Sequence, residues 1–139
     1  MFWGEFSHHL DAKGRLIIPA RYRPHLSQGA ILTRGLDRNL VIYPHDTWQI
    51  ISEQVNQMPI THPHARALRR LLFSGAVELG LDRQGRVVIP GYLRDYASLD
   101  NQVLIAGMET FLEIWEPTSW RAALDGVLAE AQHLAEFGI

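Results

Sequence analysis

Two acidic–basic spacings recur in this chain. Asp11 stands four residues before Arg15, and Asp82 four before Arg86. A glycine, Gly14 or Gly85, immediately precedes each arginine. An aspartate at the head of a turn can accept backbone N–H groups. An arginine just beyond the turn presents a planar fork that suits a phosphate, or the O6/N7 edge of guanine, in two-point contact. The residues alone allow two readings: an ion pair that pins the turn, or an arginine oriented by its aspartate toward a phosphate or a base. The duplication favours the second, because two copies offer two equivalent donors. Further cations accompany the pair: Lys13, Arg21, Arg23, Arg34 and Arg38, then Arg83 and Arg94. On a small module these would form one positive face, and binding through it would depend strongly on salt.

Other chemistries find little support. His8 and His9 are adjacent, so on a strand they point to opposite faces. His62 and His64 flank Pro63 in an expected loop. Neither histidine pair has a counterpart in the second half, so no metal site is expected. Ser7, His8 and Asp11 lie close together, but no nucleophile elbow surrounds the serine. Gly14 and Gly85 each stand alone, so there is no phosphate-cradling glycine loop. With no cysteine in the chain, a disulfide framework, a thiolate zinc site and a cysteine nucleophile are excluded. The expectation is a non-enzyme without a cofactor.

The 139 residues carry 13 basic and 15 acidic groups, net −2. That total disfavours nucleic acid, yet it hides an asymmetry. Residues 1–45 hold six basic and three acidic groups, and residues 66–94 hold six and two. Residues 46–65 hold only two acidic groups, and residues 95–139 set Arg121 against eight. Two basic blocks therefore precede an acidic segment. Twelve of the thirteen cations are arginine. Hydrophobic residues make up 47% and mean hydropathy is −0.07, enough apolar material for a real core. No apolar run reaches the ~18 residues of a membrane span, so a soluble cytoplasmic protein is expected.

The elements that must position these residues are also duplicated. Leu10 to Pro19 and Leu81 to Pro90 agree at six of ten positions. Phe2 and Gly4 match Phe73 and Gly75 at the same offset of 71, and Gly35, Leu40, Ile42 and Trp48 match Gly107, Leu112, Ile114 and Trp120 at 72. Each copy predicts a short strand, a type I turn at Asp-x-x-Gly, and a β-branched run as the second arm of a hairpin. A short helix after Pro19 or Pro90 follows, then two strands and a closing helix. Pro24 should break the first short helix. Trp48 and Trp120, near the starts of the closing helices, are expected in the core. The stripe Trp120, Ala123, Leu124, Val127, Leu128, Ala131, Leu134 and Ala135 predicts a long final helix, packed partly on its own fold and partly on a neighbouring subunit. The division expected is a first module 1–58, a connecting helix 59–72 and a second module 73–139. Each half is too small for its own core, so the two should share one as a pseudo-twofold pair.

The opening Met-Phe-x-Gly, the Leu-Asp-x-Lys-Gly-Arg-Leu-x-x-Pro block, its second copy and the Tyr-Pro…Trp segment resemble the MraZ family of bacterial transcriptional regulators. The likeness covers Met1 to about Leu124. It implies an α+β fold of two tandem AbrB-like swapped-hairpin modules, forming one pseudo-twofold β-barrel core with flanking helices. It also implies sequence-specific binding of double-stranded DNA at promoter boxes that recur as direct repeats. The role implied is mainly repression of the division and cell-wall gene cluster, by a ring-shaped homo-oligomer lying over the nucleoid. Residue by residue it assigns DNA contact to Arg15 and Arg86, with Lys13, Arg21 and Arg23 beside them. Asp11, Asp82, Gly14 and Gly85 become the groups that hold the turns. Gln84 stands where the first block has Lys13, so the second half lacks one cation. A ring-forming scaffold whose basic face takes an acidic partner is the alternative.

Overall fold

A computed structural model describes all residues, Met1–Ile139. The chain runs β1 (Glu5–His9), β2 (Arg15–Ile17), a 3-10 helix (Ala20–Leu26), β3 (Ala30–Arg34), β4 (Leu40–Pro44), α1 (His45–Gln57) and α2 (Pro63–Gly75). It then repeats as β5 (Val77–Leu79), β6 (Arg86–Val88), α3 (Gly91–Tyr96), β7 (Gln102–Gly107), β8 (Leu112–Trp115) and α4 (Pro117–Ala129). A second 3-10 helix, Ala131–Phe137, follows. No helix is long and apolar enough to cross a membrane.

Six strands form an antiparallel sheet in the order β1-β7-β8-β4-β3-β5, and β2 and β6 form a separate two-stranded ribbon. The two modules exchange strands: β1 pairs with β7, and β5 with β3. At the centre β4 pairs with β8, Val41 opposite Glu113. The expected closed barrel is therefore not what the ladder forms. β1 and β5 are open edges, and β5 is only three residues long. Side-chain packing closes the core instead. Leu16, Ile18, Val87 and Ile89 of the ribbon segments bury against Leu32, Leu40, Ile42, Ile105, Leu112 and Ile114 of the sheet. Burial of each such side chain is worth roughly 1.5–3 kcal/mol. Both halves contribute to this one cluster, as the shortage of core in either half requires.

Four sequence expectations need correction. The β-branched run after each turn is not the second arm of a local hairpin. Only Leu10 and Leu16 bridge locally, and β2 then runs antiparallel to β6 of the other module. Swapping lets the apolar faces of both runs reach the common core. The short helix after Pro19 is a 3-10 helix that retains Pro24, since i→i+3 bonding spares some of the donors an α-helix would need there. The offset between repeats rises to 73 at β3 and β7, because His8 faces Val103 where Leu79 faces Ala30. Gly107 thus takes the place of Arg34, not of Gly35, each opposite a leucine, Leu112 or Leu40. Finally, the apolar stripe at the C-terminus breaks at Glu130, and neither α4 nor the final 3-10 helix has a buried residue. Trp120 alone stacks firmly, edge-on to Trp115 at 5.6 Å, as Trp48 does on Tyr43 at 5.9 Å.

Candidate nucleic-acid interface

The ribbon brings the duplicated motifs together. Its register sets Arg15 opposite Val88, Leu16 opposite Val87 and Ile17 opposite Arg86. Alternation along each strand buries Leu16 and Val87 and turns Arg15, Ile17, Arg86 and Val88 outward. The two arginines sit on one diagonal of this outer face, and two exposed β-branched side chains sit on the other. Gly14 and Ile18 extend the ribbon: Ile89 N–H donates to the Gly14 carbonyl at 2.8 Å, and Ile18 N–H to the Gly85 carbonyl at 2.9 Å. A pseudo-twofold axis runs between Leu16 and Val87.

At each end of the ribbon the turn is built the same way. Gly14 N–H donates to the Asp11 carbonyl at 3.0 Å, and Gly85 N–H to that of Asp82 at 3.0 Å. Gly14 and Gly85 have φ of 75° and 76°, a left-handed conformation that favours glycine. One Asp11 carboxylate oxygen accepts from the amides of Lys13 and Arg15, both at 2.9 Å, and the other from Arg15 Nε at 2.6 Å. Asp82 accepts from the amides of Gln84 and Arg86 at 2.9 Å and from Arg86 Nε at 2.8 Å. These bonds, led by the arginine amide, hold both carboxyls below their ordinary range against a desolvation that raises them. The ion pair and the oriented arginine are thus one arrangement. Nε is tied to the aspartate, and the Nη nitrogens form no bond within the chain.

The remaining cations divide. Lys13 is exposed at the first turn, with Gln84 its neutral counterpart. Arg21 is exposed and lies 5.8 Å over the ring of Phe6. Arg23 donates Nε to the Ile18 carbonyl at 2.8 Å. Its guanidinium lies over Gly85 of the other module, where any Cβ would run into it. Arg94 lies over Gly14 in the same way, and its Nε is buried with no partner. Sequence reasoning counted Arg94 as an accompanying cation only. The signal was there: it follows Pro90 at the spacing by which Arg23 follows Pro19.

Other arginines serve the fold. Arg34 donates to the Leu71 carbonyl at 3.1 Å and to Ser74 Oγ at 3.0 Å, between the rings of Tyr92 and Tyr96. Arg38 sits 5.2 Å over Tyr96. Arg69 clasps the carbonyls of Asn56 and Met58 at 3.1 and 2.7 Å, and Arg66 those of Ile60 and Thr61 at 3.0 and 3.2 Å. The basic face is therefore narrower than the charge blocks suggest and centres on the ribbon. His8 turns half inward on β1 and His9 outward. Burial first, then His9 and Arg23, push the His8 imidazole down from its ordinary 6.5.

A family model described as "MraZ protein, putative antitoxin-like" matches twice, at residues 1–71 and 72–136. The chain belongs to the MraZ family. It is similar to a protein of Herpetosiphon aurantiacus named "Transcriptional regulator MraZ", 49% identical over 100% of both chains. Relatives of the same name in Roseiflexus castenholzii and Carboxydothermus hydrogenoformans are each 46% identical over 98% of this chain and 95% of theirs. The two matched segments are the two structural repeats, so the MraZ unit occurs here twice, with one ribbon between the copies.

Proposed function

We propose that this protein is a sequence-specific, DNA-binding regulator of transcription and not an enzyme. The observation that carries the reading is the outward face of the β2–β6 ribbon, with Arg15 and Arg86 oriented by their aspartates. A two-stranded ribbon fits the major groove, where arginine reads guanine. Lys13, Arg21 and Arg23 supply contacts to phosphates, which position the protein without specifying sequence. The names of the full-length relatives support the regulatory role. In this reading the protein acts mainly as a repressor, at repeated boxes before the division and cell-wall gene cluster, over the nucleoid in the cytoplasm. One chain makes few contacts, so a ring of copies multiplies them along the repeats. The working division is 1–58 and 73–139 as the two modules, with 59–72 connecting them.

Gel shifts on the protein's own promoter DNA, at several salt concentrations, test this with Arg15→Ala and Arg86→Ala. Both variants should bind more weakly. Unchanged affinity in both would remove the ribbon from the interface. The scaffold reading treats the Asp–Arg pairs as structural. It would gain if Arg15→Ala lowered the melting temperature and left DNA binding intact.

A further inference from the structure

The first ribbon turn lies under a cation that its own module does not supply. The antiparallel register brings Ile89 beside Gly14, with the Ile89 N–H on the Gly14 carbonyl at 2.8 Å. Pro90 starts α3 at once, and the fully buried Leu93 pins that short helix to the core. Arg94 is the next residue, so its guanidinium is carried back over the turn that precedes the other module's ribbon strand. A Cβ on Gly14 would stand 3.2 Å from Arg94 Cζ, 3.3 Å from Arg94 Nε and 3.0 Å from the Ile89 carbonyl oxygen. Gly14 is buried beneath them, and only a residue without a Cβ lets the plane come so close.

No polar partner in the chain accounts for this placement. Arg94 forms no ion pair, and its Nε is buried without an acceptor. An unpaired buried N–H is unfavourable, so the side chain is held there by what it packs on. It packs on the turn itself. Gly14 N–H closes that turn on the Asp11 carbonyl at 3.0 Å. The next residue is Arg15, whose amide and Nε both go to the Asp11 carboxylate. The second turn has the same cover from the opposite side. Ile18 N–H bonds the Gly85 carbonyl, and Arg23, tied by Nε to the Ile18 carbonyl, lies over Gly85. The two covering arginines therefore cross over, each resting on the motif of the other module.

We propose that Arg94 is a positioning residue for Arg15. Its rigid plane covers the Gly14 peptide and limits the backbone there. It so fixes the direction in which the Arg15 guanidinium leaves the ribbon. The module that carries Arg86 thus orients the arginine of the other module, and Arg94 belongs to the Arg15 half of the site although Arg86 is nearer in sequence. The inference rests on the DNA-reading role proposed for Arg15 and adds a residue to it.

Double-mutant cycles on the full-length chain, read as affinity for the protein's own promoter DNA at fixed salt, test it. Arg94→Ala should weaken binding about tenfold, within the span found for side chains in contact. With Arg15 already alanine, the same change should cost less than about twofold, because no guanidinium remains to orient. With Arg86 already alanine, it should cost the full factor. Arg94→Lys keeps the charge and loses the plane, so it should bind nearly as weakly as the alanine variant. Arg94→Met keeps the stem and carries the same cycles if the alanine variant melts too low to assay. Equal losses in the Arg15 and Arg86 backgrounds overturn the inference, since Arg94 would then act on the whole fold or on DNA directly. Full affinity in Arg94→Lys overturns it too, because a charge alone would suffice. In both cases a weakened Arg15→Ala leaves the DNA-reading role standing. An Arg15→Ala variant that binds like the wild type overturns that role and this inference with it.

Discussion

The two ends of the ribbon are nearly superposable, whereas the two backs of the sheet are not. At the ribbon, each module repeats one carboxylate, one left-handed glycine and one guanidinium, bonded in the same order with distances alike to within about 0.2 Å. On the outer side, one module has two α-helices over a buried apolar layer, and the other has one α-helix and a short 3-10 helix, neither with a buried residue. A duplicated unit keeps its symmetry where the two copies must meet across an axis, since a change on one strand alters the partner's register. It is free to diverge where each copy faces outward. The charges are unevenly shared too, with Lys13, Arg15, Arg23, Arg86 and Arg94 gathered at the ribbon and Arg121 set against eight carboxylates from residue 95 onward.

The comparison can be broken at four points. The largest effect should come from the arginines. Arg15→Ala and Arg86→Ala should each cost roughly 5- to 150-fold in specific DNA affinity, the span of a two-point base contact worth about 1–3 kcal/mol. A large loss at one and none at the other, in titrations at fixed salt, would show the ribbon to be functionally one-sided. Next is the glycine pair. Gly85→Ala forces a side chain into a left-handed backbone, at about 1–2 kcal/mol, and also displaces Arg23 from its bond to Ile18. Gly14→Ala meets the Ile89 carbonyl at 3.0 Å and Arg94 at 3.2 Å, so it should be the milder. Thermal melts rank the two, and the reverse order would deny that Arg23 holds the other module's turn.

A smaller effect is expected from Gln84→Lys, which restores the cation the second turn lacks. Affinity should rise a few-fold, and the slope of log affinity against log salt should steepen by about 0.9 for one added phosphate contact. An unchanged slope would place that turn away from the DNA backbone. The smallest effect lies in acid. Both turn carboxyls are depressed below their ordinary 3.8, so the native state binds their protons less readily than the unfolded chain. The stability they add is present above about pH 4 and is lost as the pH falls through the native values. Asp11→Asn and Asp82→Asn should flatten the acid side of a melting-temperature profile by equal amounts. Unequal flattening would break the equivalence of the turns.

Much of this was legible in the sequence because it is local. Asp11 to Arg15 and Asp82 to Arg86 encode their turns through contacts four residues apart, and Pro19 and Pro90 mark the helix starts that follow. Strand partners were not legible in the same way. Leu16 and Val87 look alike from either side, and nothing within ten residues says that β2 prefers β6 to β1. The roles of Arg34, Arg66 and Arg69 depend on carbonyls left free at helix ends and in a connector, which charge counting cannot see. The stripe from Trp120 to Ala135 has helical spacing, but spacing alone does not say whether a partner for it lies in the same chain.

The ribbon has a further consequence. In a dimer of identical chains its two strands would be the same, and any duplex it read would have to look alike from both directions. Here the strands belong to one polypeptide and differ at the tips and between them, Lys13 against Gln84 and Ile17 against Val88. As the proposed reader of DNA, the ribbon would therefore have a head and a tail. A row of such ribbons on DNA would call for sites that all point the same way, rather than sites that mirror one another.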